Sequence, residues 1–417
     1  MMSLLRYWGQ PTLPSLIDPR HHRWLVLAVG AAAQASFAAA FAGLPVTGVL
    51  MRHAYAMSTG QLGLVLGCMA LGVTFSELAW GLLTDRFGDR KVLLTGLLST
   101  GLALFAMGFF LAPDAAHMPS PLQLGGGLVL VGLLGGSVNS SSGRAIMGWF
   151  TDGKRGLAMS IRQTAIPAGG AIGAALLPWV AQHHGFRTVF ATLAAFCVLT
   201  ALLTWLFLHE RPHPAAHRPA GPSAACEPSP LRRPDIWRLA IACGLLTAPQ
   251  IAVLTFGGVY LHDRMAAGLS LIAGVLVLVQ LSGSVARIVI GQRSDRGADR
   301  RRLVRGIGLL AAGLTGALAL FGTTHLALAA ALVAFTGLAA SAWHGVAYTE
   351  IAIMAGPSRA GTALGIIGMT IFASAFLTPV LIPLVLAHSS WATTWGCIAV
   401  ATLLAVPIAP RSAPAIG

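Results

Sequence analysis

The sequence predicts an all-α integral membrane protein with twelve transmembrane helices. Of its 417 residues, 56% are hydrophobic and only 10% are charged, whereas a soluble domain carries about 25% charged residues. A chain with so few charges cannot cover its surface in water, so we expect most of that surface to face lipid. Two further observations indicate the same class, namely a series of apolar runs of spanning length and a charged loop that occurs twice between them.

Twelve apolar runs have lengths near the ~20 residues that a helix needs to cross a bilayer. The runs cover residues 24–50, 58–80, 92–112, 122–149, 157–181, 188–208, 237–261, 269–290, 304–322, 326–354, 361–387 and 392–410. They divide the chain into an N-terminal segment at 1–23, six spans within 24–208, a linker at 209–236, six spans within 237–410 and a tail at 411–417.

The positively charged residues fall mainly on one side of these spans. Of the 27 lysines and arginines, 21 lie in the terminal segments, in the even-numbered gaps or at the first residues of the spans that follow those gaps, three lie in the odd-numbered gaps and three lie deeper inside spans. The positive-inside rule then predicts a multi-pass protein of the cell (inner or plasma) membrane with both termini in the cytoplasm. This distribution also explains the net charge of +14, so we expect no nucleic-acid partner.

The linker at 209–236 is rich in Pro, Ala and Arg and lacks apolar periodicity, which is typical of a loosely ordered connection. Its histidines, His209, His213 and His217, are spaced by four residues, but the prolines between them break the helix that would align them. The five cysteines contain no Cys-x-x-Cys pair. We therefore expect neither a metal site nor a cofactor.

A charged loop occurs at residues 81–91 and again at 291–301, with the shared pattern Gly-x-x-x-Asp-Arg-x-x-Asp-Arg-Lys/Arg. This duplication resembles the loop between the second and third helices in each half of major facilitator superfamily transporters. The resemblance covers about residues 24–410. It implies two pseudo-symmetric six-helix bundles with a solute path between them, in a protein that works as a monomer. The first copy has Gly88 where the second has Ala298.

The resemblance also implies a gate built from these loops. In the family, the loop aspartate meets the N-terminus of a helix from the other half, and the neighbouring arginine pairs with acidic groups. Together they close the cytoplasmic side. By position, the expected gating residues are Gly81, Asp85, Arg86, Gly88, Arg90, Asp295 and Arg296, with Glu77 in the second span. The alternative interpretation is that these charges only anchor the loops among lipid headgroups.

Three arginines lie inside spans, where an ionisable side chain is costly unless it faces a partner or a wet cavity. Arg144 lies near the cytoplasmic end of the fourth span and either supports the gate, with Glu77 as a partner, or contacts the solute. Arg162 lies less than two turns into the fifth span and either lines the cavity or extends to the headgroups.

Arg287 is the preferred substrate-binding residue. It precedes Asp295 by eight residues, or about 12 Å of helix, which is deep for a side chain that reaches the surface. In exchangers of oxalate, formate and monocarboxylates, an arginine in the eighth span binds the substrate carboxylate, and Arg287-x-x-x-Gly291 resembles that arrangement. A guanidinium suits this role because its planar fork can make two parallel bonds to a carboxylate. The alternative is a structural pair with Glu350.

The three arginines inside spans face only Glu77 and Glu350, so the cavity would attract anions and repel cationic drugs. We therefore expect a symporter or antiporter of a small organic anion, a carboxylate, working by alternating access. Protons are a candidate coupling ion, with His344 and Glu350 as candidate proton sites. Polar side chains expected to complete the substrate site are Gln34, Asn139, Gln250, Gln280, Trp343, His344 and Tyr348.

Two other functions stay open. A proton-coupled drug or metabolite efflux antiporter often carries Gly-x-x-x-Gly-Pro-x-x-Gly-Gly in the fifth span, but here Gln163 and Ile166 replace the first glycines. A membrane sensor that keeps the fold without transport is the other alternative. The sequence contains no phosphate-binding loop, no His-Glu-x-x-His and no paired carboxylates within spans. We do not expect an enzyme.

Overall fold

A computed structural model describes residues 19–114, 118–151, 153–209 and 228–411, without the side chains of residues 19, 20, 59 and 269. The expectations for residues 1–18, for most of the linker (210–227) and for the end of the tail (412–417) lie outside the described residues. The part of the chain that is described is helical, with no strand.

Fourteen α-helices are present in the described ranges. They are α1 Pro19–Phe41, α2 Gly48–Ala54, α3 Thr59–Phe87, α4 Asp89–Phe110, α5 Pro121–Gly135, α6 Ser137–Trp149, α7 Arg155–Phe207, α8 Pro234–Met265, α9 Leu269–Asp295, α10 Arg300–Phe321, α11 Leu326–Ser341, α12 His344–Ala355, α13 Ala360–His388 and α14 Trp391–Ile408. Short 3-10 helices follow α1 at Leu44–Thr47 and precede α8 at Pro230–Arg232.

The twelve predicted spans correspond to eleven helical segments that are long and apolar enough to cross a membrane, among the residues described. The difference arises in α7, whose 53 residues would extend about 80 Å as one helix. Gly185 interrupts it with φ 73° and ψ 177°, a conformation that is open to glycine because it lacks a Cβ. This break divides α7 into the predicted fifth and sixth spans, so the fold class is confirmed.

Three predicted spans are each built from two consecutive helices. In the fourth span α5 ends and α6 begins on either side of Gly136, and in the tenth span Ala342 and Trp343 separate α11 from α12. The first span joins α1 to α2 through the 3-10 helix. Such breaks leave backbone carbonyl groups without helical partners, and side chains can then use those carbonyls.

The two halves of the chain, residues 19–209 and 228–411, pack against each other through four main helix pairs: α3 with α13, α7 with α9, α7 with α12, and α6 with α13. One buried apolar cluster contains side chains from both halves, among them Ile146, Met159 and Leu364. The other two clusters belong almost entirely to one half each. Large apolar side chains such as Leu122, 85% exposed, lie on the outside, as expected for contact with lipid.

Candidate functional site

The duplicated loops lie at one end of the helix bundle, called here the loop end. Asp85, in the last turn of α3, caps α13 from the other half of the chain. Its Oδ1 accepts a hydrogen bond from the Gly361 N–H at 2.8 Å, and its Oδ2 accepts bonds from the Thr362 N–H at 2.7 Å and the Thr362 hydroxyl at 2.6 Å. These N–H groups have no partner within their own helix, and the positive helix terminus favours the carboxylate.

Asp295 repeats this arrangement with the halves exchanged. It is the last residue of α9, and its two carboxylate oxygens accept bonds from the N–H groups of Gly156 and Leu157, both at 2.8 Å. These residues form the first turn of α7. Each half therefore caps a helix of the other half at the loop end.

Glycines allow the helices to approach closely enough for this capping. Gly81 and Gly291 each lie one turn before their aspartate. A Cβ atom on Gly81 would collide with the carbonyl oxygen of Gly361, and one on Gly291 would collide with the carbonyl oxygen of Gly156. The loop pattern thus includes a glycine because another backbone passes beside it.

We expect Gly81→Ala to push α3 away from α13 and weaken the Asp85 cap, because the obstructing atom is backbone and cannot rotate aside. The melting temperature of the purified protein should fall by several degrees, since a clash of this kind costs roughly 1–3 kcal/mol. Gly306→Ala is the matched control, because a Cβ there would meet nothing within 4 Å. Equal melting temperatures for the two variants would contradict the close approach.

Arg144 is paired at the loop end. Its Nε lies 3.2 Å from Asp85 Oδ1, and its Nη1 lies 2.7 Å from Asp89 Oδ1. The expected pairing with Glu77 is wrong, because Glu77 lies about two turns deeper on α3. Arg144 is also one of the predicted substrate-binding residues, and these contacts connect it instead to the aspartates of the first loop.

Arg86 and Arg296 differ from what the resemblance implied. Both side chains are exposed, and within the described ranges neither forms an ion pair. Arg86 lies over the ring of Phe87, 5.3 Å from its centroid. The acidic groups of the first loop are taken by Arg144, which approaches from inside the bundle.

The remaining loop residues form the turns between helices and contact neighbouring helices. Gly88 has φ 91° and joins α3 to α4, whereas in the second loop the positive φ of 96° belongs to Gly297 rather than to Ala298. The second loop is also longer before its helix begins, and Asp299 caps α10 by accepting from the N–H groups at 301 and 302. Arg90 donates from Nη2 to the carbonyl of Trp205 at 2.6 Å.

Glu350 lies at the loop end as well, where its Oε1 accepts a bond from Arg301 Nε at 2.6 Å. The alternative that it pairs with Arg287 is therefore wrong. Glu350 is also a predicted proton site, but in the structure its carboxylate forms an ion pair outside the centre of the bundle.

A second set of polar side chains is buried in the centre of the bundle and is called here the central polar cluster. Its members are Gln34, Glu77, Asn139, Ser140, Ser142, Arg162, Gln163, Arg287, Ser341, His344 and Tyr348. They come from α1, α3, α6, α7, α9, α11 and α12, so both halves of the chain contribute. Sequence analysis did not predict Ser140, Ser142 and Ser341 as site residues. The polar run Ser-Val-Asn-Ser-Ser-Ser at 137–142, in an apolar span, was a visible signal for the first two.

Arg162 is the centre of this cluster and has no exposed surface. Its Nε donates to Ser142 Oγ at 2.9 Å, and its Nη2 donates to Gln34 Oε1 and to the carbonyl and Oδ1 of Asn139 at 2.6–2.9 Å. Its Nη1 is buried without a hydrogen-bond partner. The side chain therefore points into the bundle, and the alternative that it extends to the headgroups is wrong.

Glu77 is also fully buried. Its Oε2 accepts a bond from Ser140 Oγ at 3.1 Å, while its Oε1 has no partner. Gly368 of α13 packs directly over the carboxylate, since a Cβ there would come within 2.6 Å of it. Glu77, one of the predicted gating residues, therefore belongs to the central polar cluster and not to the loop end, and the other half of the chain covers it.

Two hydrogen bonds in the cluster cross between the halves. Asn139 Nδ2 donates to the Tyr348 hydroxyl at 3.1 Å, and Arg287 Nη1 donates to the carbonyl of Gln163 at 2.6 Å. That carbonyl has no helical donor because the residue four positions later is Pro167, which lacks an N–H. Arg287 Nε also donates to the carbonyl of Ser341 at 2.9 Å, where α11 ends.

The other predicted binding residues lie around Arg287. His344 stacks on Trp343 at 3.9 Å and places Nδ1 3.2 Å from the Ser341 carbonyl. Gln250 donates to Ser341 Oγ at 3.3 Å, and Gln280 is half-buried two turns before Arg287 on α9. The buried Nε1 of Trp343 has no partner. The described residues contain no group of acidic, histidine and cysteine side chains that could hold a metal ion.

Comparison with known proteins gives consistent matches across the chain. A family model described as Major Facilitator Superfamily matches residues 27–339. An uncharacterized MFS-type transporter of Mycobacterium tuberculosis is 32% identical over 390 residues, which are 93% of this chain and 85% of that protein. The membrane sensor protein UhpC of Salmonella typhimurium is 22% identical over 436 residues, covering 98% of this chain and 93% of the sensor.

Solved structures show the same fold. The crystal structure of the human organic anion transporter MFSD10 (TETRAN) superposes with a TM-score of 0.72 and covers 93% of this chain and 99% of that one. The sequence identity is 16%, so this likeness concerns the fold alone.

Proposed function

Because the chain belongs to the major facilitator superfamily, we propose that it is a secondary transporter that carries a small organic anion by alternating access. The observation that carries this proposal is Arg162, a fully buried guanidinium whose Nη1 has no acceptor. A carboxylate is the group that best completes it, because a carboxylate oxygen can accept a charge-assisted bond from Nη1.

The balance of buried charge supports an anionic solute. Arg144 is neutralised by Asp85 and Asp89 at the loop end. In the central polar cluster, Arg162 and Arg287 face a single acidic residue, Glu77. Buried positive charge in excess attracts anions and repels cations, which argues against the export of cationic drugs.

On this proposal, the structure represents the state that is closed at the cytoplasmic face. The count of positive charges predicts that the loop end and both termini face the cytoplasm. Opening that end would break the Asp85 and Asp295 caps and the bonds Asn139–Tyr348 and Arg287–Gln163. Binding of the solute in the cluster would help to offset the loss of these contacts.

A membrane sensor that does not transport is the second candidate, because the sensor UhpC matches almost the whole chain. Transport assays distinguish the two. Purified protein in proteoliposomes should take up at least one of radiolabelled formate, lactate, oxalate and succinate, and should exclude the cationic dye ethidium. Protein-free vesicles are the control. Uptake of ethidium without any carboxylate would contradict the anion proposal, and no transport of either would favour the sensor.

Arg287 remains a predicted carboxylate-binding residue within this function. Its charge is not neutralised, since its described bonds go to two neutral carbonyl groups. Removing one partner of a buried charged bond costs about 3–5 kcal/mol, so Arg287→Ala should weaken carboxylate binding by about 100-fold or more. Arg287→Lys keeps the charge without the fork and should recover part of the affinity.

This prediction is checked by the concentration dependence of carboxylate uptake, with the melting temperature as a control for folding. If the folded alanine variant binds as tightly as wild type, Arg287 acts only as a bond between the halves, and Arg162 alone is left to bind the solute.

A further inference from the structure

Glu77 and Arg162 are a buried carboxyl group and a buried guanidinium that bind neighbouring residues of α6, Glu77 at Ser140 and Arg162 at Asn139 and Ser142, without forming an ion pair within the described residues. Each has one polar atom with no hydrogen-bond partner, Oε1 on Glu77 and Nη1 on Arg162. Such atoms are rare in folded proteins because an unpartnered buried polar group costs free energy. Glu77 can therefore accept one further hydrogen bond at Oε1, and Arg162 can donate one at Nη1.

The surroundings of Glu77 contain little else that could stabilise its charge. From α6 it faces the neutral side chains Asn139 and Ser140, from α13 the bare backbone at Gly368, and from α12 the phenol of Tyr348. Arg162 on α7 is the one positive charge among the groups that interact with it. We therefore expect the protonation of the Glu77 carboxyl group to depend on which group Arg162 binds.

We propose that Glu77 is the proton-binding residue of this transporter and takes up one proton when a carboxylate binds to Arg162. This inference rests on the proposed function. A bound carboxylate would place a negative charge beside Glu77 in surroundings of low dielectric constant, where two like charges repel strongly. Protonation of Glu77 removes that repulsion, so the proton and the anion are bound together.

The two proton sites predicted from the sequence are less suited to this task. His344 faces Arg287, so its protonation would place two positive charges together. Glu350 is held by Arg301 at the loop end. By contrast, Glu77 is covered by Gly368 from the other half of the chain. Movement of α13 away from α3 would uncover it, which gives the proton the same alternating access as the solute.

The test uses the full-length protein in proteoliposomes with radiolabelled oxalate, formate and lactate, and a pH indicator inside the vesicles. For wild type, an inward proton gradient should raise the accumulation of carboxylate about tenfold per pH unit, since one proton moves with each solute. Carboxylate entry should also acidify the interior. Glu77→Gln, which imitates the protonated residue, should still exchange carboxylate across the membrane but should lose both effects of the gradient.

Glu350→Gln is the comparison variant, because Glu350 pairs with Arg301 outside the central polar cluster, and it should keep proton-driven accumulation. If Glu77→Gln also keeps it, or if wild type exchanges carboxylate without responding to the gradient, the inference is overturned while the proposed function stands. If wild type moves none of the three carboxylates, the proposed function fails instead.

If no carboxylate is transported, the protonation of Glu77 can still be measured by infrared spectroscopy without any solute. Infrared difference spectra between wild type and Glu77→Gln, titrated from alkaline to acidic buffer, should show the C=O stretch of one protonated carboxylic acid. Carboxylates elsewhere cancel in this difference. A Glu77 that shows no such band at any pH at which the protein stays folded would overturn the inference.

Discussion

Replacing Arg162 by alanine is expected to abolish carboxylate transport. The guanidinium is fully buried and makes four hydrogen bonds within the first half of the chain, while its Nη1 is unpartnered. Loss of one partner of a buried charged bond costs about 3–5 kcal/mol, which corresponds to an affinity lower by about 100-fold or more. We expect a larger loss than for Arg287→Ala, since the described bonds of Arg287 support the contact between the halves.

Carboxylate exchange in proteoliposomes, compared at equal amounts of folded protein, checks this prediction. Arg187→Ala is the matched control, because Arg187 lies over the ring of Phe109, at 4.3 Å from its centroid, away from the central polar cluster. Arg162→Lys serves as a second variant if alanine prevents folding, and it should bind carboxylate more weakly than wild type. A folded Arg162→Ala protein with wild-type exchange would remove Arg162 from the substrate site.

The spans and the positions of the loop aspartates were predictable because both depend on short-range sequence. The length of an apolar run determines whether it can cross a bilayer, and the duplicated loop showed where each aspartate would lie. The division of α7 into two spans was predicted, but the sequence did not show that the single residue Gly185 would make the break, between His184 and Phe186. Its effect comes from the conformation it adopts there, which sequence spacing does not reveal.

The partners of the buried arginines were harder to predict. Position along a helix gives the depth of a side chain, but it does not give the rotation of that helix relative to its neighbours. Arg144 was therefore assigned to Glu77 instead of to Asp85 and Asp89. The two halves also differ here, because the fourth span supplies an arginine to the loop acids whereas the tenth span supplies Glu350 to a loop arginine.

The sequence did not predict that backbone carbonyl groups would accept hydrogen bonds from the buried arginines of the central polar cluster. The sequence suggests an acidic partner for Arg287, whereas in the structure Arg287 donates to the carbonyls of Gln163 and Ser341. The first of these could have been found, because Pro167 must leave the carbonyl four residues earlier without a helical donor. The second depends on the end of α11, for which the sequence has no clear signal.

Asp85→Asn is expected to open the loop end and slow transport at least tenfold, with little change in the amount of folded protein. The carboxylate accepts three bonds from Gly361 and Thr362 and pairs with Arg144. An amide loses the charge and offers one acceptor oxygen where two are needed. Hydrogen bonds to charged groups contribute about 1.5–3 kcal/mol each, and 1.4 kcal/mol is enough to change a two-state equilibrium about tenfold. The intact Asp295 cap should prevent complete opening, since full reversal needs about 5.5 kcal/mol.

Opening can be measured directly with spin labels on cysteines introduced at Lys91 and Arg302, which are exposed on opposite halves of the loop end. In Asp85→Asn the distance between the labels should lengthen and its distribution should broaden. Asp263→Asn is the control, because Asp263 is exposed and its carboxylate contacts only the neighbouring His262 among the described residues. Adding Asp295→Asn removes the second cap and should open the loop end further than either change alone. If the labels keep their wild-type separation in Asp85→Asn and transport is normal at equal expression, the aspartate only anchors its loop, and the resistance to opening must come from the apolar cluster shared by the two halves.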